Sequence, residues 1–210
     1  MSKRLVIIPR LSGTPQSDWY PWLQNQLQAN SPDLFDTVHG VNLPDLHQPT
    51  VKGFVANVAE AVGSDPKEIS RTVLLGHSIG CLAGLHYLET LASGISVSGV
   101  LCVAGWWWVD KPWDVLLRWM EAPLDLAKVR AAMGKCEVVI SDNDPFVSGT
   151  AANKHAWEEK LNAKVFVIPG AQHFNAPQQP AVLRTLLEMF DVTPGGPGHQ
   201  ASGAMTRRKA

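Results

Sequence analysis

Six short apolar, β-branched runs alternate along the chain with six stretches of helical character, and few folds accommodate that rhythm. The runs are Arg4–Ile8, Thr37–Leu43, Thr72–Leu75, Val97–Val103, Glu137–Ile140 and Lys164–Ile168. Between them the pattern predicts helices over about residues 18–29, 51–62, 79–92, 124–133, 149–161 and 178–190. In the second of these, Phe54, Val58 and Val62 recur at i, i+4 and i+8, which puts them on one helix face. Thr72–Leu75 and Val97–Val103 are apolar with little alternation, as strands covered on both faces are. Strands alternating with helices predict an α/β chain: a parallel, doubly wound sheet with right-handed crossovers. A site in such a sheet belongs at the carboxyl ends of the strands.

Composition narrows the function classes. The chain has 210 residues, 45% of them hydrophobic and 18% charged, which suits one packed domain over residues 1–190. A formal net charge of −1 argues against a nucleic-acid binder, which normally carries a basic excess. Leu5-Val6-Ile7-Ile8 is too short before Pro9 for a signal-peptide core, and no run of about 18 apolar residues predicts a membrane span. Cys81, Cys102 and Cys136 lack C-x-x-C spacing, so neither a disulfide framework nor a zinc site is expected, and a reducing cytoplasm is the plain setting. No H-E-x-x-H or G-x-x-x-x-G-K-[ST] segment is present, so no metal or cofactor is expected. Residues 191–210 lose the apolar period, which predicts a disordered tail. Asp191 against Arg207, Arg208 and Lys209 gives that tail +2, leaving −3 for the body.

Gly76-His77-Ser78-Ile79-Gly80 carries the chemistry. It follows the run Val73-Leu74-Leu75 and opens the helical stretch from Cys81, the strand–turn–helix setting of a nucleophile elbow. Two glycines flank the serine at the distance where side chains would collide in so tight a turn. Ser78 is then presented at a helix N-terminus, with the Ile79 amide aimed where an oxyanion develops. A serine nucleophile needs a base and a group to orient it, expected in chain order Ser, Asp, His. After Glu137–Ile140 come two acids; Asp144, just before Pro145, is favoured, with Val147 anchoring the loop, while Asp142 is expected to cap its own turn. The base after the last strand is His173. The other histidines lie elsewhere: His86 in the elbow helix, His39 and His47 beside the second strand, His155 in a charged helix, His199 in the tail.

Further contacts are assigned by position. The loop after the first strand, Pro9-Arg10-Leu11-Ser12-Gly13, should supply the second oxyanion donor through the Leu11 amide. Arg10 either lies across the mouth to meet a substrate carboxylate or points to solvent. His77 should point away from the face that the serine presents, which rules it out as the base; it stays among the candidate substrate contacts. Five of the eight tryptophans fall between Trp106 and Trp119. Residues 105–123 read as a short cap-like insertion after a strand end, with Trp106, Trp107 and Trp113 as candidate substrate-binding walls. Packing of the insertion onto the body and an oligomer contact are the alternatives.

Taken together, Ile8-Pro9, Trp19-Tyr20-x-Trp22, Leu43-Pro44-Asp45, the Gly76–Gly80 elbow, Asp144-Pro145-Phe146 and His173-Phe174 resemble the retinoblastoma-binding-protein-9 and YdeN-like family of small serine hydrolases. The resemblance covers residues 4–190. It implies a minimal α/β-hydrolase fold, a three-layer sandwich with six parallel strands in the order 2-1-3-4-5-6. It also implies a triad of Ser78, Asp144 and His173 and hydrolysis of small esters or amides. Three positions depart from the family pattern. The first loop is short and carries Arg10 and Leu11, Gln172 stands where glycine often precedes the base, and no L-x-C-x-E segment supports pocket-protein binding. The expectation is a serine hydrolase, monomer or homodimer, acting on a small-molecule ester or amide. The rival is a non-catalytic binding module that uses the Trp-rich segment or the basic tail.

Overall fold

A computed structural model describes residues 1–43 and 48–192. Pro44, Asp45 and His47, and the tail from residue 193 with His199, therefore lie outside the described residues. Six strands form one parallel sheet: β1 (Lys3–Ile8), β2 (Phe35–Gly40), β3 (Thr72–His77), β4 (Gly99–Val103), β5 (Lys135–Ser141) and β6 (Lys164–Ile168). Their order is β2-β1-β3-β4-β5-β6, as expected. The helices are α1 (Tyr20–Asn30), α2 (Val51–Val62), α3 (Pro66–Arg71), α4 (Ile79–Leu88), α5 (Asp114–Glu121), α6 (Leu126–Ala132), α7 (Thr150–Leu161) and α8 (Pro180–Glu188). None of the described helices is long and apolar enough to cross a membrane.

The period-2 geometry of strands sorts their apolar side chains into two cores. Val6, Ile8, Leu74, Val100, Cys102, Val138 and Ile140 face the layer that holds α2, α4, α6 and α7. Leu5, Ile7, Val73, Leu75, Leu101, Val103 and Val139 face the layer of α1 and α8. All residues of β3, β4 and α4 are buried, so the tight turn at Ser78 joins the innermost strand to the innermost helix.

Four elements differ from the sequence reading. The second strand runs Phe35–Gly40 rather than Thr37–Leu43, because Phe35 packs in the α1–α8 core and Gly40 lies against Pro15, where a Cβ would come 2.7 Å from that ring. The elbow helix ends at Leu88, short of residue 92. Two short helices, α3 and α5, escape a reading based on period because neither completes more than about two turns. For α3 a local signal exists all the same: Asp65 caps it by accepting from the Lys67 amide, and Pro66 opens it.

Candidate active site

The elbow holds Ser78 in a sparsely populated conformation, φ +56° and ψ −123°, with its amide donating to Val103 O at 2.8 Å. Its flanking glycines are required for different reasons. A Cβ on Gly76 would sit 2.6 Å from the Cys81 backbone, inside the turn. One on Gly80 would sit 2.2 Å from Ile8 O, so that glycine lets α4 approach the end of β1. Ile79 is the first residue of α4, where the amide has no intrahelical acceptor.

Ser78, Asp144 and His173 follow β3, β5 and β6 at one edge of the sheet, where Ser78 and His173 line one cavity. Asp144 Oδ2 lies 2.7 Å from His173 Nδ1, while its Oδ1 accepts from the Phe146 amide at 2.9 Å. Both side chains are largely buried, and Val147 seats the acid loop in the core. A carboxylate on Nδ1 fixes the tautomer that carries a proton there, which leaves Nε2 free to act as a base. Asp142 does not cap its own turn. Its Oδ1 accepts from the Gly170 amide, and Asn143 Oδ1 accepts from the Gln172 amide, both at 2.8 Å. The acid loop thus grips the histidine loop at two further points.

A cavity of about 570 Å³ opens beside Ser78 and His173. Its apolar wall is formed by Leu11, Trp106, Val109, Trp113, Leu116 and Phe146, and Arg10, Ser12 and Asn175 line the rest with Val115. The Phe146 ring meets the His173 imidazole edge-on, 4.7 Å between centroids. Trp106 Nε1 donates to Ser78 Oγ at 3.3 Å. Trp113, half exposed, leans on Phe146.

Trp107 and His77 are not at this cavity. The Trp107 ring packs on Trp157, 4.7 Å between centroids, under the Lys160 ammonium. His77 is fully buried beneath the elbow, because residues adjacent in an extended strand end point to opposite faces. Burial, reinforced by the nearby His173, pushes its pKa down to about 3, so its ring is neutral. Arg10 neither crosses the mouth freely nor points to solvent. Its Nε and Nη2 donate to Asp18 at 2.7 and 3.2 Å, and Nη1 donates to Leu11 O at 2.9 Å.

The first helix supplies contacts that sequence reasoning missed. His77 Nε2 lies 2.9 Å from His173 O and must donate there, so Nδ1 accepts the Tyr20 hydroxyl at 2.7 Å. Tyr20 Oη in turn accepts the Arg10 amide at 3.2 Å. Trp19 Nε1 donates to Phe174 O at 2.8 Å. Trp19, Tyr20 and His77 therefore tie the β1 loop to the histidine loop from below. In the sequence the Trp19-Tyr20 pair reads as a motif without a role.

With this geometry in place, the likeness to known proteins becomes interpretable. YdeN of Bacillus subtilis (strain 168) is 23% identical over 176 residues, 83% of this chain and 87% of that protein. The crystal structure of the ydeN gene product from B. subtilis superposes with a TM-score of 0.78 at 22% identity, covering 90% of this chain and 99% of that one. Est1E from Butyrivibrio proteoclasticus superposes at 0.64 with 15% identity, covering 90% and 88%. At these identities the structures establish the fold, and they carry the YdeN-like part of the resemblance read from the sequence. The serine hydrolase family profile matches residues 5–186, from the first residues of β1 well into α8. A match of that extent takes in the sheet and every loop that lines the cavity: the chain belongs to the serine hydrolase family and is a hydrolase of the α/β-hydrolase fold.

Proposed function

We propose that this chain hydrolyses small, uncharged carboxylic esters through an acyl-enzyme formed on Ser78. The observation that carries this reading is the 2.7 Å pairing of Asp144 with His173 Nδ1 at the wall of the cavity that also exposes Ser78. Ser78 Oγ attacks the ester carbon as its proton passes to His173 Nε2, and the carbonyl oxygen becomes an oxyanion facing the Ile79 and Leu11 amides. Collapse expels the alcohol, which takes the proton from His173. Water then attacks the acyl carbon, gives a proton to His173, and the acid leaves as Ser78 Oγ recovers that proton. Asp144 holds the imidazole throughout. Amides and peptides react more slowly in this scheme, because an amine must be protonated to leave.

The substrate class follows from the wall. Residues 105–123 act as a cap, whose Trp106, Val109, Trp113 and Leu116 favour an apolar or aromatic group. Asp18 neutralises Arg10, so this wall cation offers little to a substrate carboxylate. Neither cofactor nor metal enters the scheme, and three free, buried cysteines suit a reducing cytoplasm. A fluorophosphonate probe tests the reading. Wild type is expected to label and Ser78→Ala to stay unlabelled; folded wild-type protein that fails to label would overturn it. Within a p-nitrophenyl ester series, kcat/KM is expected to rise and then fall with acyl length, and a monoester bearing a free carboxylate to be the poorest substrate; a flat profile contradicts the cap.

A further inference from the structure

The indole N–H of Trp106 touches the reacting oxygen, and that contact has chemical content beyond forming a wall. We propose that Trp106 is a catalytic residue: its N–H, fixed on Ser78 Oγ, orients the hydroxyl proton and stabilises the oxygen while that proton is away. The proposal rests on the reading of Ser78 as nucleophile.

An indole nitrogen is a donor only, so Oγ must accept from it with a lone pair. The hydroxyl's own proton is then left for another acceptor. His173 supplies one: Asp144 occupies Nδ1, and Nε2 is the nitrogen left with a lone pair, on a ring that lines the same cavity. A donor-only neighbour thus sets the direction in which the proton must leave. As Oγ attacks, the proton moves to Nε2 and partial negative charge passes through Oγ before the bond to carbon is complete. The same charge returns when Oγ leaves the acyl carbon and takes its proton back. A fixed N–H meets it both times. The distance of 3.3 Å is that of a resting site, where catalytic hydrogen bonds are often long and tighten during reaction.

The indole is held for this. Trp106 is buried, and Ala104 before it is turned to φ +49°, with its amide on Val139 O at 2.9 Å. The Gly105 carbonyl accepts from Asn153 Nδ2 at 2.9 Å and from Trp157 Nε1 at 3.2 Å. A Cβ on Gly105 would come 2.7 Å from the Trp157 ring. Simple satisfaction of a buried donor does not explain the choice of acceptor. Trp19, Trp119 and Trp157 all give their N–H to backbone carbonyls, stronger acceptors than a hydroxyl.

The test replaces Trp106 by 3-benzothienylalanine, which keeps the ring shape and puts sulfur in place of N–H, with Trp106→Phe alongside. The expected result for the isostere is a three- to tenfold lower rate constant for fluorophosphonate labelling and a matching fall in kcat on p-nitrophenyl acetate, with KM and Tm unchanged. For Trp106→Phe the fall in kcat is expected together with a raised KM, since part of the wall is lost. An isostere that labels at the wild-type rate overturns the role of the N–H. A Ser78→Ala protein that labels like wild type overturns the nucleophile itself, a separate failure.

Discussion

Backbone strain gathers around the cavity. Ser12, Asp18, Ser78, Ala104, Gln172 and Phe174 all take positive φ without being glycine, and all belong to the strand-end loops or their supports. Each is held there by its hydrogen bonds and packing rather than by its own preference. The strain at Ser78 can be measured. Ser78→Gly and Ser78→Ala both remove the hydroxyl, but only glycine relaxes at φ +56°. Urea denaturation is expected to find the glycine variant more stable by about 1 kcal/mol. Gly80→Ala has the opposite character: its methyl group would meet Ile8 O at 2.2 Å, with backbone on both sides of the contact. It is expected to yield little folded protein, read as loss of the cooperative melting transition. At Gln172 the sequence shows a departure from glycine, and the structure shows how it is accommodated. The residue adopts φ +51° and its amide is clamped by Asn143.

Between elements, the site depends on a bracket built from the start of α1 and the end of β3. Tyr20 and His77 join the β1 loop, which offers Leu11, to the loop that carries His173. His77 must be neutral to do this, and its folded pKa of about 3 lies below the ordinary value of 6.5. The unfolded chain therefore binds more protons as pH falls below 6.5, and folding stability falls with it until about pH 3. Between pH 6.5 and 5 the loss is about 2 kcal/mol. His77→Gln is expected to be less stable than wild type at pH 7 and to lack that part of the acid slope, as seen in urea melts at the two pH values. Tyr20→Phe leaves His77 Nδ1 without its donor and is expected to lower stability by about 1–3 kcal/mol at pH 7. This bracket also marks where the sequence stops being legible. The strands are visible because apolar β-branched runs leave a local pattern, and the elbow because its glycines sit at fixed spacing. The loops that follow β5 and β6 can be found by chain order alone. Hydrogen bonds between Tyr20, His77 and His173 join residues 57 and 96 positions apart and leave no period to read. Trp106 and Trp107 are adjacent and chemically identical, yet one reaches Ser78 and the other packs on Trp157, a division that only the tertiary path of residues 104–106 decides.

The whole molecule is a sheet with a core on each face, and all three cysteines lie in the same layer, with α2, α4, α6 and α7. Burial raises the pKa of Cys136, and Cys81 and burial together raise that of Cys102. Native protein is expected to show none of its three thiols to Ellman's reagent, and denatured protein all three; rapid native labelling would contradict the packing around α4. At this scale the cavity divides by origin. Ser78, Asp144 and His173 come from the separate loops that follow β3, β5 and β6, whereas Trp106, Val109, Trp113, Val115 and Leu116 come from one continuous stretch between β4 and α6. On the proposed function, much of the wall that selects the ester lies within residues 107–116, apart from the triad and from the Trp106 N–H. Exchanging residues 107–116 for another sequence of similar length amounts to changing the lens while leaving the camera body alone: such chimeras should differ in which esters they prefer and share one pH–rate profile.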